Sequence, residues 1–198
     1  MEIKTIVLHH TATPGTGDGS SEWTAIANNC QKKRRAVYPR YVSDYHYGIG
    51  PTGTMFEGQT LSFPAWHCGN DEINLASLAV SCIGNFDINP MTEQQYNGLL
   101  VLMIKLHDLY PLAVIKGHQE IVATACPGRF FPFRRLLDEI IKKNQFSDVP
   151  RSHLFFSAIK EIVASGIMHG DGAGNGTFRP NDPVTRGELA QVICNLRK

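Results

Sequence analysis

The sequence predicts an α/β protein with a mixed central sheet flanked by helices, followed by a small all-α module at the C-terminus. Over the first 143 residues, short apolar runs that suit buried strands alternate with longer segments of helical periodicity. Near residues 142–145 this alternation stops, and two short helices flanking a glycine-rich loop, 170–176, follow. We therefore expect two domains, at 1–143 and 146–198.

The predicted strands are short and rich in β-branched residues. Residues 3–8 are apolar enough for a buried strand that ends at His9 and His10. Residues 45–49 and 54–57 lie on either side of a Pro-Thr-Gly turn, which predicts a hairpin. Further strands are predicted at 77–83 and 113–116.

The predicted helices are marked by capping pairs and by apolar residues at helical spacing. Thr92 and Gln95 have capping-box spacing and are followed by a long apolar stripe, which predicts the clearest helix of the chain. Thr185 and Glu188 repeat this spacing before the last helix of the C-terminal module. The other helices of the first domain are predicted at 23–37 and 132–143.

Composition and charge exclude several classes of function. The chain has 19 Lys and Arg against 18 Asp and Glu, a net charge of +1, so we expect no nucleic-acid partner. Its apolar runs are far shorter than the roughly 20 residues of a membrane span, so we expect no membrane partner. The N-terminus carries no cleavable signal pattern, which predicts synthesis in the cytoplasm without a signal peptide. Five scattered cysteines favour reduced thiols or a metal ligand over disulfides.

Three residues have the chemistry of a zinc site. His9 lies at a strand end, and His118 and Cys126 lie eight residues apart on one polar loop. Two imidazoles and a thiolate suit zinc, and three protein ligands would leave the fourth position open for catalysis. The same residues also fit a structural histidine beside a strand and a buried cysteine, so spacing alone leaves both interpretations open.

Six segments occur in order along residues 3–141: IVLHHTAT (6–13), DYHYGI (44–49), GTMFEG (53–58), AWHCG (65–69), SCIGNF (81–86) and GHQEIVATACPG (117–128). Together they resemble the zinc-dependent N-acetylmuramoyl-L-alanine amidases, which include T7-type phage lysozymes and peptidoglycan recognition proteins. The resemblance implies the fold of that family. It also implies hydrolysis of the amide bond between N-acetylmuramic acid and L-alanine in peptidoglycan.

The resemblance also implies roles for individual residues. His9, His118 and Cys126 match the ligands of one zinc ion, and Tyr45 matches the family's catalytic tyrosine. Phage-type enzymes carry a catalytic lysine two positions before the cysteine ligand, where this sequence has Thr124. We therefore take Tyr45 and Thr124 as the catalytic candidates. Whether Thr124 replaces the lysine stays open, because a neutral hydroxyl does not supply a positive charge.

Three further residues are candidates for substrate binding. His67 aligns with a cleft histidine of the family, where it would contact substrate or transfer a proton. A surface histidine whose hydrogen bonds are satisfied, with no contact to substrate, is an equally good interpretation. Trp66 and Asn85 complete the predicted substrate-binding set.

Four segments after residue 145, FSDVP, AIKEIVASGIMHGDG, GTFRPN and VTRGELA, resemble one S-layer homology module. This implies binding of a cell-wall glycopolymer, with Arg179, Thr185 and Arg186 as candidates. The alternative is that Thr185 only caps the helix and both arginines are solvated. Such modules usually occur in threes, so both a monomer and an oligomer formed through the module stay open.

The sequence as a whole predicts a wall lytic enzyme, such as a phage or prophage endolysin, that acts on the cell wall after its release. Its expected partners are peptidoglycan and, through the C-terminal module, a wall glycopolymer. The main alternative is a recognition protein that binds peptidoglycan without cutting it. A structural zinc site would need a fourth ligand, and none is evident. A peptidase with Cys126 as nucleophile is disfavoured, because this cysteine lies in a loop rather than at a helix start.

Overall fold

The computed structural model describes residues 2–143, 146–150, 152–171 and 176–197. The strands are β1 (Thr5–His10), β2 (Tyr47–Ile49), β3 (Met55–Glu57), β4 (Ser77–Cys82) and β5 (Val114–Gly117). The helices are α1 (Ser20–Arg34), α2 (Asp71–Leu75), α3 (Glu93–Leu109), α4 (Phe133–Lys143), α5 (Phe156–Ala164) and α6 (Arg186–Asn195), with one 3-10 turn at His118–Glu120. In the described part of the chain, no helix combines the length and the apolar character that a bilayer crossing requires.

The predicted mixed sheet with flanking helices is confirmed. Its five strands lie in the order β3-β2-β4-β1-β5, and only β2 and β3 pair antiparallel. β1 lies between two parallel neighbours, in register so that His9 pairs with Ser81 and Thr5 with Ser77. Paired residues of parallel strands point to the same side of the sheet, so Thr5 and the two serines share one face with His9.

The opposite face of the sheet carries the main hydrophobic core. Ile6 and Leu8 of β1 point toward this core and are fully buried. Helices α3 and α4 cover them, with a stripe of apolar residues on α3 and with Leu136 and Ile140 on α4. The stripe that the sequence predicted on α3 is buried as expected: Leu99, Leu102, Met103 and Leu106. The polar face around His9 therefore forms on the side of the sheet that α3 and α4 leave uncovered.

Several predicted boundaries differ from the structure by a few residues. Helix α1 begins at Ser20, where Asp18 accepts a hydrogen bond from the Ser20 backbone, and ends at Arg34, where the Arg35 backbone N–H still donates to the Gln31 carbonyl. Strand β2 begins at Tyr47, so Tyr45 lies just before the hairpin strand rather than in it. The short helix α2 was not predicted, because five residues carry too little periodicity.

The C-terminal part is helical, as predicted. Thr185 and Glu188 form the expected capping box at the start of α6, with each side chain bonded to the backbone of the other residue. An isolated bridge joins Asp171 to Thr177 across the glycine-rich loop. Residues 172–175 of that loop and residues 144–145 of the predicted domain boundary lie outside the described residues, and the division into two domains stays a prediction.

Candidate metal centre

The carboxyl ends of two adjacent parallel strands bring the predicted ligands together. His9 lies near the end of β1, and His118 is the first residue after β5. Cys126 lies on the loop that follows the 3-10 turn, and its carbonyl accepts a hydrogen bond from the Gln119 backbone. This bond folds the loop back, so that Cys126 lies near His118 although eight residues separate them.

The three predicted ligands form one compact group. One nitrogen or sulfur atom of each residue lies within 4.8 Å of the corresponding atoms of the other two. The His9 Nδ1 and Cys126 Sγ atoms are 3.6 Å apart, and the rings of His9 and His118 have centroids 4.5 Å apart. The backbone N–H of His10 donates to the Cys126 sulfur at 3.3 Å. Within the described residues this is the one group of three or more His, Cys, Asp or Glu side chains close enough to hold an ion.

The loop carrying Cys126 is fixed by close packing two residues later. Gly128 has a φ of +104°, and a Cβ at this position would lie 2.5 Å from the Phe86 carbonyl carbon. The Arg129 backbone N–H and side chain donate to the side chain and carbonyl of Asp87. Only glycine allows this backbone approach, which holds the cysteine against the end of the sheet.

Burial sets the protonation of the three groups. It lowers the pKa of His9 well below its ordinary value, and the nearby His67 lowers it further. It also lowers the pKa of His118, while a hydrogen bond with the Cys68 backbone acts in the opposite direction. Burial raises the pKa of the Cys126 thiol to about 11. At neutral pH the site therefore holds two neutral imidazoles and one protonated thiol.

An unpaired buried nitrogen indicates that a ligand belongs in this site. The Nε2 atom of His118 is buried and has no hydrogen-bond partner among the described residues. Buried polar atoms without a partner are rare, because losing water without gaining a bond costs free energy. One ring nitrogen of His118 lies within 4.8 Å of the ligand atoms of His9 and Cys126, so a metal ion held between them would lie beside this ring.

The two catalytic candidates flank the ligands on different elements. The Tyr45 ring lies 5.3 Å from the His9 ring and 6.4 Å from that of Trp23, measured between centroids. Burial raises the pKa of its phenol well above the ordinary value. Thr124 is exposed, and its hydroxyl accepts a hydrogen bond from the Cys126 backbone N–H at 3.3 Å.

The predicted substrate-binding residues occupy three different environments. His67 is buried, and both of its ring nitrogens lie 2.9 Å from a partner, at His9 and at Ser77. Trp66 is half-buried with its ring near Tyr38, at 5.8 Å between centroids. The Asn85 side-chain oxygen accepts a bond from the Asp87 backbone two residues later. His67 therefore lies beside the metal ligands, Trp66 lies on the segment next to it, and Asn85 closes a turn of the loop that packs on Gly128.

A family model described as N-acetylmuramoyl-L-alanine amidase, Amidase_2, matches residues 1–129. The chain belongs to the Amidase_2 family. A second model, the S-layer homology domain, matches residues 145–190. Both resemblances found in the sequence are thereby confirmed.

Similar proteins of this family include phage and bacterial amidases and insect recognition proteins. The chain is 24% identical over 157 residues to a peptidoglycan-recognition protein of Drosophila simulans, covering 76% of this chain and 79% of that protein. It is 32% identical over 89 residues to an endolysin of Enterobacteria phage K11, covering 42% of this chain and 58% of that protein. The structure of the N-acetylmuramoyl-L-alanine amidase LysC from Clostridium intestinale URNW aligns with a TM-score of 0.60 at 25% identity, over 70% of this chain and 85% of that one.

In the S-layer homology region of this Amidase_2 chain, the predicted polymer-binding residues make contacts within the module. Arg179 forms ion pairs with Asp171, Asp182 and Glu188, at half-exposed positions. Thr185 uses its hydroxyl and its backbone N–H in the capping box. Arg186 is the first residue of α6 and is exposed. A role of these three residues in binding a wall polymer stays a prediction.

Two residues that support the centre were missed in the sequence. Ser77 bonds to His67, and the side-chain oxygen of Asn74 accepts bonds from the backbone N–H groups of His67 and Cys68. The position of Ser77 could have been predicted, because the alternation of side chains along a strand puts it on the same face of the sheet as His9. The position of Asn74 could not, since it lies in the short helix that was not predicted.

Proposed function

We propose that this protein is a zinc-dependent amidase that cuts the bond between N-acetylmuramic acid and L-alanine in peptidoglycan. The observation that carries the proposal is the group of His9, His118 and Cys126, gathered within 4.8 Å in a chain of the Amidase_2 family. The similarity to a phage endolysin and to the amidase LysC supports a lytic role. We further propose that the protein works as a phage or prophage endolysin or another wall lytic enzyme.

The donor set fits zinc better than other common metals. Two imidazole nitrogens and one thiolate are borderline-soft ligands, which suit zinc and do not suit magnesium or calcium. His118 offers a ring nitrogen within 4.8 Å of the other two ligand atoms, and His9 offers the Nδ1 atom that faces Cys126. Zinc held there would supply a Lewis acid and would make a water molecule acidic enough to attack an amide near neutral pH. Three protein ligands are typical of a catalytic rather than a structural zinc site.

Tyr45 and Thr124 supply hydrogen-bond donors beside the ligands. Because its pKa is raised, the Tyr45 phenol keeps its proton at neutral pH and can donate to the negative charge that develops on the carbonyl oxygen. The Thr124 hydroxyl already accepts from the Cys126 backbone, so its own proton is free to point toward the substrate. Neither group carries a positive charge, so the protein donors that would assist the zinc in stabilising the oxyanion are neutral in this chain.

The raised pKa of Cys126 argues against this residue as a nucleophile. A thiol whose pKa is about 11 is protonated at neutral pH, whereas cysteine nucleophiles depend on a lowered pKa. A coordinating metal removes that proton, which is consistent with a ligand role.

The second candidate function is recognition of peptidoglycan without cleavage. The similarity to the Drosophila simulans recognition protein favours this candidate, as does the neutral Thr124 at the position of the phage-type lysine. The amidase proposal is preferred because the full ligand set of His9, His118 and Cys126 is present and assembled.

For the C-terminal module, we propose binding of a wall glycopolymer. Its match to the S-layer homology domain supports this role. The exposed Arg186 at the start of α6 also supports it, because a guanidinium group can pair with an anionic polymer group. A module that binds the wall would raise the local concentration of the amidase at its substrate. We also propose that the protein is synthesised in the cytoplasm and acts on the cell wall after its release.

Digestion of purified peptidoglycan tests the proposed activity. The full chain is incubated with peptidoglycan, with and without a chelator, and the released fragments are identified by mass spectrometry. Free stem peptides with an exposed L-alanine amine, lost with the chelator and restored by zinc, are the expected result. A zinc-loaded protein that binds the wall but releases no stem peptides would instead identify a recognition protein.

A further inference from the structure

His67 links a metal ligand to a buried serine on the neighbouring strand. The His67 Nδ1 atom lies 2.9 Å from His9 Nε2, and its Nε2 atom lies 2.9 Å from the Ser77 hydroxyl. All three side chains are buried, and the rings of His9 and His67 meet edge to face. Both nitrogens of His67 are therefore used inside the protein, and neither is left for a substrate.

The backbone around His67 is fixed from two sides. On one side, Asn74 accepts bonds from the His67 and Cys68 backbone N–H groups at 3.1 and 3.2 Å, and from the Cys68 thiol at 3.2 Å. On the other side, the Trp66 backbone N–H donates to the Tyr41 hydroxyl at 2.9 Å. Because the segment is held at both ends, the His67 ring has little freedom to turn away from His9.

Hydrogen-bond chemistry allows the protons of this chain to be placed in only two ways. A neutral His67 ring carries one proton, and each of its two contacts, with His9 and with Ser77, needs one donor and one acceptor. In the first arrangement, His9 Nε2–H donates to His67 Nδ1, and His67 Nε2–H donates to the Ser77 oxygen. In the second, every bond is reversed, and the proton of His9 moves to its Nδ1 atom, which faces Cys126 at 3.6 Å.

Only the first arrangement is compatible with a metal at His9. A metal ligand must offer a lone pair, and the second arrangement places a proton on the nitrogen that faces Cys126. We propose that His67, supported by Ser77, is a positioning residue that holds the His9 ring with its Nδ1 lone pair toward the metal. The inference rests on the proposed zinc site, and it assigns to His67 a role that excludes direct contact of its ring nitrogens with substrate.

Zinc affinity of the full-length protein tests this role without relying on activity. The affinity is measured by competition with a chromophoric chelator for the wild type and for His67→Ala, His67→Asn, Ser77→Ala and Ser81→Ala. Removing the partner of a metal-ligating histidine typically costs about 10- to 100-fold in affinity, which we expect for His67→Ala. His67→Asn should keep most of the wild-type affinity. The asparagine Oδ1 atom and the histidine Nδ1 atom are the same number of bonds from Cα, so the oxygen can accept the hydrogen bond from His9 Nε2–H.

Ser77→Ala and Ser81→Ala form a matched pair. Both serines are fully buried on β4 and face the same side of the sheet, but only Ser77 bonds to His67. We expect a weaker zinc affinity for Ser77→Ala and an unchanged one for Ser81→Ala. This pair keeps the proposal testable even where His67→Ala fails to fold.

The outcomes separate this proposal from the function on which it rests. A wild type that binds no zinc would refute the zinc site itself. A wild type that binds zinc, with His67→Ala or Ser77→Ala binding equally well, would overturn the positioning role alone. Nitrogen NMR of the zinc-loaded protein gives an independent readout, because the proposal requires the ring protons of both His9 and His67 on Nε2. A proton on His67 Nδ1 would overturn it.

Discussion

Replacing Cys126 with serine should remove both tight zinc binding and the proton release that accompanies it. The pKa of the Cys126 thiol is about 11, five pH units above pH 6. At 1.36 kcal/mol per unit, forming the thiolate at pH 6 costs about 7 kcal/mol, which the bond to zinc must offset. The two histidines add little to this release, because burial lowers the pKa of each below its ordinary value of 6.5 and so favours the neutral rings. We therefore expect wild-type protein to release about one proton for each zinc ion bound.

Isothermal titration calorimetry at pH 6, in two buffers of different ionisation enthalpy, measures this number directly. Water held by zinc has a pKa of about 7, so its ionisation contributes little at pH 6. The apparent zinc affinity of the wild type should also rise about tenfold per pH unit near this pH, because one proton leaves on binding. Changes to residues that only support a metal ligand typically lower the affinity by about 10- to 100-fold. Cys126→Ser should lower the zinc affinity by more than this, and it should release almost no protons on binding zinc.

Cys30→Ser provides a matched control for this experiment. Cys30 is also buried, and burial raises the pKa of its thiol to about 11, but it lies on α1 outside the ligand group. This variant should bind zinc and release a proton as the wild type does. The reasoning would be refuted by a Cys126→Ser protein that keeps both the wild-type zinc affinity and the release of one proton.

Three further variants test catalysis, packing and capping. Tyr45→Phe should lower the turnover of peptidoglycan by about 100- to 1000-fold with zinc affinity retained, and unchanged turnover would reduce Tyr45 to a packing residue. Gly128→Ala should strain the loop, because the added Cβ would lie 2.5 Å from the Phe86 backbone. Each kcal/mol of this strain should lower the melting temperature, measured by circular dichroism, by about 2 to 4 °C. Gly17→Ala is its control, since Gly17 also has a positive φ but no atom within 4 Å of an added Cβ, and equal losses would discount the close contact. Thr185→Ala should cost about 1 kcal/mol through loss of the cap on α6, and an unchanged unfolding midpoint in urea would contradict this.

The sheet and its main helices could be predicted because their signals are local. The apolar run before His9 fixes a buried strand, and the capping pair at Thr92 fixes the start of α3. Helix α1 began three residues earlier than predicted, because Gly19 and the Asp18 side chain start it before the first apolar position. Such short-range hydrogen bonds shift an element without changing the pattern of apolar residues that identifies it.

The ligand set was accessible from sequence for a similar reason. The carboxyl ends of parallel strands lie at the same edge of a sheet, so residues at the end of β1 and directly after β5 meet there, whatever path the chain takes between them. His9 and His118 occupy such positions, and the loop after His118 is short enough to return Cys126 to the same edge. Spacing could not show which nitrogen of His9 faces the cysteine, because that depends on the partner of the opposite nitrogen.

The role of His67 could not be predicted from the sequence, because the segment that carries it has no regular periodicity. Without strand or helix alternation, nothing in residues 65–69 indicates whether the ring points outward to a substrate or inward to the sheet. The direction of the ring is set by Asn74, which holds the backbone, and by Ser77, whose hydroxyl lies 2.9 Å from the second ring nitrogen. Both partners come from later in the chain. A histidine beside a predicted metal site is therefore as good a candidate for orienting a metal-ligating residue as for contacting substrate. The partner of its second ring nitrogen decides between the two roles. In this protein that nitrogen is bonded to a buried serine, which favours orientation of the metal ligand.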